Sequence, residues 1–175
     1  MMEQVQYRKW KLNVDAEATR EAYRKIERGS AEECGCQKCI NFVASRRKIY
    51  PEEVSILFDR LGIDFRKEVE VYHDGVSETG LHFYSGWFHC VGYLESQSSK
   101  VMLTEYADTQ IYELELEEVG QQFRIGFTEN GGLYWTEFDG KPLVQIEFGG
   151  EAPWLIEEES QGSASQANNR NAPEL

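Results

Sequence analysis

The sequence predicts an α+β fold, with an N-terminal strand and about three helices packed on one face of a mostly antiparallel sheet. Three observations carry this. Helical patterns with clear start and stop signals fill most of residues 16–61. From Asp64 onward the pattern changes to short segments alternating apolar and polar residues. Gly-containing turns separate those segments, with Asn130-Gly131 and Asp139-Gly140 supplying the positive φ of tight hairpins.

The elements follow in order. Residues 7–14 alternate loosely and read as one strand. Asp15 can cap a helix over Ala16–Arg28, whose acids come first and bases last, as the macrodipole prefers. Ser30 and Glu33 have the spacing of a capping box, which predicts one continuous helix from about Ala31 to Ile49. Pro51 suits the start of another helix, because its missing N–H would have no intrahelical partner there. Val54, Ile56, Leu57, Phe58 and Leu61 give that helix its apolar face, and Gly62 is a natural stop. Residues 68–72 read as a strand and 81–94 as a central strand or tight pair. Segments 111–118, 121–128, 133–138 and 143–148 read as a meander, with Glu113, Glu115, Arg124, Glu137, Gln145 and Glu147 on a solvated face. One globular unit over 1–156 is expected, followed by a disordered acidic and polar tail over 157–175 with little to bury.

The chain has 175 residues, with 18 basic against 31 acidic, a net charge of −13. Phosphate backbones and anionic membrane surfaces repel such a surface, so neither nucleic acid nor membrane is an expected partner. A basic protein is the matching partner class, and a non-enzymatic binding module with an acidic surface is the first functional expectation. The apolar stretch of a secretory signal is missing from the first residues, and no apolar run is long enough to span a bilayer, so a cytoplasmic location is expected.

Several short blocks carry a resemblance: Trp10–Asp15, Glu33-Cys34-Gly35-Cys36-Gln37-Lys38-Cys39-Ile40-Asn41-Phe42, Tyr50-Pro51, Leu61–Asp64, Glu70–His73 and Gly86–His89. Together they resemble a family of uncharacterised bacterial proteins. The cysteine block is the most distinctive. The resemblance implies a bacterial, cytoplasmic origin, covers little beyond residue 95, and brings no catalytic or binding residues.

Of the four cysteines, three fall within six residues, Cys34, Cys36 and Cys39, and Cys90 stands apart. Three thiolates and one further ligand complete the tetrahedron that zinc prefers, with His73, His82, His89 and Cys90 as possible fourth ligands. Cys36-Gln37-Lys38-Cys39 near a helix start is also compatible with redox chemistry. A thioredoxin-type redox site would follow a strand, whereas this one follows another helix, and a continuous helix argues against the metal site. At 100° per residue Cys36 and Cys39 fall about 60° apart, on a stripe with Ile40, Val43 and Tyr50, while Cys34 points away. The expectation is therefore that Cys36 and Cys39 face the core, that Cys34 does not join them, and that the cysteines are inert. Only a helix starting near Cys36, with Cys34-Gly35 as an irregular lead-in, would let the three sulfurs converge. The metal- or thiol-dependent reading, with Cys34, Cys36, Cys39, His82 and Cys90 around zinc, is the alternative.

No phosphate loop, nucleophile elbow or His-Glu-x-x-His motif is present, so no catalytic residue and no cofactor is assigned. Strand parity puts His82, Tyr84, Phe88 and Cys90 on one face and Trp87, His89, Val91 and Tyr93 on the other. Either His82 or His89 could serve as a base in a pocket, but a hydrogen-bonded core role is the ordinary one. Trp87, Tyr84, Tyr93, Tyr134 and Trp135 could line a ligand groove, against the simpler reading of core packing.

Overall fold

The computed structural model of the chain describes residues 1–106, 109–129 and 131–157. It opens with a hairpin, β1 (Glu3–Tyr7) and β2 (Trp10–Val14), where the sequence suggested one strand. Arg8, at φ 48°, makes the turn in a conformation with no sequence signature at a non-glycine residue. Four helices follow: α1 (Ala16–Lys25), α2 (Ser30–Cys34), α3 (Gln37–Ile49) and α4 (Glu52–Leu61). Asp15 caps α1 by accepting from the Ala18 amide at 3.1 Å. Pro51 and Gly62 bound α4 as expected, Gly62 at φ 79°.

The main sheet has seven strands. β4 (His82–Leu94) is its axis and pairs along ten residues with β9 (Leu143–Ala152). The other edge of β4 is shared: β3 (Glu70–Val76) takes its first half and β2 its last residues. β8 (Phe123–Thr128) and the short β7 (Glu117–Glu118) extend the sheet beyond β9. All pairings are antiparallel, as the α+β reading required. β5 (Val101–Tyr106) and β6 (Thr109–Leu114) form a separate two-stranded ribbon. The predicted strand 111–118 is thus divided: Leu114 ends β6, and Glu117 joins the main sheet.

The core is aromatic. Tyr50 presents its ring edge-on to Phe58, Phe88, Phe123 and Phe148, joining the start of α4 to β4, β8 and β9. Phe42 of α3 packs on Tyr84 and Phe148. Of the residues expected on the opposite, solvated face, Glu113, Glu115 and Arg124 are exposed, but Gln145 is not. Residues 133–138 do not pair as a strand. They cross that face and end in a single 3-10 turn, Thr136–Phe138. The Trp87 indole donates to the Leu133 carbonyl and the Trp135 indole to that of Lys67, so these aromatics anchor a crossing segment instead of alternating in a sheet. His89 and Gln145 are buried beneath it.

Among the described residues no helix is long and apolar enough to cross a membrane. The predicted tail lies, apart from Glu157, outside the described residues.

Candidate functional site: a three-cysteine cluster

The continuous helix expected over Ala31–Ile49 does not form. Gly35 adopts φ 64°, the left-handed conformation, ends α2 and resets the helical phase. Cys36 becomes the residue preceding α3. The phase argument that pointed Cys34 away from Cys36 and Cys39 assumed one unbroken helix and fails for that reason. The sulfurs of Cys34, Cys36 and Cys39 all lie within 4.8 Å of one another. Cys34 and Cys36 are exposed, so the expectation that Cys36 faces the core is corrected as well, whereas Cys39 is half-buried and packs against the core as expected.

The capping box fails too. Gly29 precedes α2, and the Ser30 hydroxyl is buried without a partner among the described residues. The cap comes from elsewhere in the chain. A Glu68 carboxylate oxygen accepts from the Ala31 amide at 3.1 Å, and the Glu68 carbonyl accepts from the Ser30 amide at 3.1 Å. The same carboxylate oxygen receives the Arg46 guanidinium at 2.8 Å, and Arg46 reaches Glu32 at 2.6 Å. One buried ion pair therefore fixes α2 and α3 on either side of the Gly35 bend.

Asn41 sets the position of α3 against the sheet. Its amide donates to the Tyr84 hydroxyl at 3.0 Å, and its carbonyl oxygen accepts from the Leu155 amide at 2.7 Å. Tyr84 in turn donates to the Lys38 carbonyl at 3.1 Å, between Cys36 and Cys39. Sequence reasoning missed Arg46, Asn41 and Glu68, because nothing local marks a polar residue for burial.

The three thiols are not equivalent. The Cys36 thiol is held below its ordinary pKa, first by the backbone amide of Cys39, with smaller help from the Cys34 and Cys39 side chains. The Cys39 thiol is pushed well up, first by burial and then by its two sulfur neighbours. The amide aimed at Cys36 favours its thiolate, whereas burial and the neighbouring sulfurs disfavour that of Cys39.

The other predicted ligands do not join. Cys90 is fully buried in the core, with its thiol pushed up to about 12 by burial. His82 pairs with His73, Nδ1 to Nε2 at 2.8 Å, and its ring packs against Trp154 at 4.6 Å. His89 lies on the opposite sheet face from Cys90. Among the described residues no fourth His, Cys, Asp or Glu shares the mutual spacing of the three sulfurs. The aromatic groove also does not form: Tyr84 is buried on the core face, while Trp87 is anchored to the crossing segment and Tyr93 is exposed.

Gly35 can be tested directly. A Cβ there would meet nothing within 4 Å, so a substitution strains only the backbone. Gly35→Ala is expected to cost about 1–2 kcal/mol, and Gly35→Asn less, because Asn tolerates the left-handed region better. Urea melts of the chelator-treated variants check this; equal stability of Ala and Gly would show that the bend is not held in that conformation.

Comparison with family models, with curated proteins and with solved structures finds no match for the chain.

Proposed function

We propose that Cys34, Cys36 and Cys39 form a three-thiolate site for a soft divalent metal ion. Zinc is the chemically matched guest, and one coordination position is left for an exogenous ligand. The observation that carries this is the convergence of three sulfurs within 4.8 Å of one another, produced where the left-handed Gly35 ends α2 and resets the helical phase. A tetrahedral zinc with bonds of about 2.3 Å sets its sulfurs about 3.8 Å apart, so a small rotation of the exposed side chains closes the site. A reducing cytoplasm, the location expected from the sequence, would keep the thiols available. The acidic interaction module rests on net charge and an expected solvated sheet face, whereas the thiol site rests on geometry and takes precedence.

Protein purified anaerobically should hold about one zinc per chain by elemental analysis. Cys34→Ser, Cys36→Ser and Cys39→Ser should each weaken zinc binding by more than about a hundredfold, since even second-shell changes approach that figure. Cys90→Ser should keep the metal. Metal-free protein that takes up no zinc or cobalt, with a Cys36–Cys39 disulfide forming readily, would replace this reading with a redox one.

A further inference from the structure

The helices carry a second feature, away from the cysteines. A cleft of about 660 Å³ opens between α1, α4, the last turn of α3 and the 62–67 loop. Five cations line it: Arg20, Arg24, Arg47, Arg66 and Lys67. They face only two carboxylates, Asp59 and Asp64. In a chain with 31 acids against 18 bases, this inverts the charge balance of the whole molecule.

The local ion pairs do not use up this charge. Asp64 is forked by Arg66, both contacts at 2.9 Å. Lys67 donates to the Tyr23 carbonyl at 2.6 Å and stands 3.9 Å from the same Asp64. Glu17 is shared by Arg20 at 3.8 Å and Arg24 at 3.0 Å. These Glu17 pairs are exposed, and exposed pairs are held by little and readily exchanged. Arg47 has no hydrogen-bond or ion-pair partner among the described residues. Helix dipoles favour a cation at the C-terminal turns of α1 and α3. They do not require those cations to line one concavity with Arg66 and Lys67 of a loop.

Shape and charge together select the ligand. The volume lies within the roughly 300–1,000 Å³ of small-molecule sites. Guanidinium forks match phosphate oxygens. Phe65, half-buried at the wall, offers an apolar surface beside them. The acid excess over the rest of the chain opposes a long polyanion, so the guest is compact. We propose that this cleft binds a small organic phosphate of mononucleotide size, with its phosphates held by Arg24 and Arg47 and its apolar part against Phe65.

Calorimetric titration of the full chain at low ionic strength, with ADP, pyrophosphate, adenosine and a single-stranded oligonucleotide, tests this. ADP should bind at one saturable site, pyrophosphate more weakly, and adenosine not measurably. Arg24→Ala and Arg47→Ala remove exposed side chains, and each should weaken ADP by about tenfold, the usual scale of a charge-assisted hydrogen bond. Lys48→Ala, adjacent in sequence but outside the cleft, should leave ADP binding unchanged. The proposal is overturned if neither ADP nor pyrophosphate binds, if Arg24→Ala and Arg47→Ala bind ADP like the parent, or if the oligonucleotide binds more tightly than ADP.

Discussion

Glu68→Ala is expected to destabilise the protein by about 3–5 kcal/mol, the scale of breaking a buried ion pair by removing one partner. Glu68 is fully buried and Arg46 is 4 % exposed, so Arg46→Ala strands the Glu68 carboxylate away from water, and Glu68→Ala leaves the Arg46 guanidinium with only its pair to Glu32. Burial outweighs the attraction of Arg46 and holds the Glu68 carboxyl above its ordinary range, so the pair is not strongly stabilising in itself. One carboxylate oxygen of Glu68 and the Nε of Arg46 also have no partner among the described residues. The paired change Arg46→Met with Glu68→Leu should therefore recover much of the loss, as apolar replacements of buried ion pairs often do. Because Glu68 caps α2 and holds α3, each single variant should lose zinc affinity as well. The paired variant should stay impaired in zinc binding, since leucine cannot accept from the Ala31 amide. Urea melts of chelated protein, with zinc titrations alongside, separate the two effects. A single variant within about 1 kcal/mol of the parent would show that the pair contributes nothing.

The parts of this structure legible in the sequence are those governed by near neighbours. Asp15, Pro51 and Gly62 fix helix ends through backbone rules that act within one turn, and all three stand where those rules put them. The apolar run over 81–94 reads as a central strand or a tight pair, and the strand forms, over His82–Leu94. What failed depended on partners far along the chain. The Ser30–Glu33 spacing signals a cap, yet the cap is Glu68, thirty-seven positions beyond Ala31. The cysteine triplet was visible, but its convergence turns on Gly35 adopting a left-handed φ, which the helical phase argument overrode. Tyr134 and Phe138 have strand spacing, yet they follow a segment laid across the sheet and pinned through Trp87 and Trp135. The cleft cations were hidden for the same reason. Arg46-Arg47-Lys48 is one basic run in sequence, and the fold divides it: Arg46 enters the core pair, Arg47 lines the cleft and Lys48 lies outside it.

The stability of the protein should fall as pH drops from about 6.5 towards 4, and His89 should account for much of that slope. The ring is buried, 1 % exposed, on the sheet face covered by the crossing segment. Its Nε2 lies 3.2 Å from the Gln145 side-chain oxygen, and Nδ1 has no partner among the described residues. The rings of Tyr134 and Phe138 stand at 6.2 and 6.4 Å. Burial lowers its pKa from 6.5 to about 4, opposed only by the Gln145 contact. The folded state thus keeps His89 neutral while the unfolded chain takes up a proton below pH 6.5. The contribution is fully present above 6.5 and is lost progressively as pH falls towards 4, to a limit of about 3 kcal/mol. Glu129 and Lys141 line the same small cavity, and His73, also held low by burial, adds a slope of the same sign. The difference between parent and His89→Gln isolates the one residue. Asp15, Asp64, Glu53 and Glu117, whose pKa values are lowered by their cationic and hydrogen-bonding partners, lose stability only at more acidic pH. Glu68 and Glu147, whose carboxyls burial holds above their ordinary range, give a slope of opposite sign, so the parent–variant difference between about pH 6.5 and 5 is the diagnostic quantity. Urea melts across it should give a clearly shallower dependence for His89→Gln. Equal slopes for the two proteins would mean that His89 titrates in the folded state near its ordinary value, and that the crossing segment does not shield it from water.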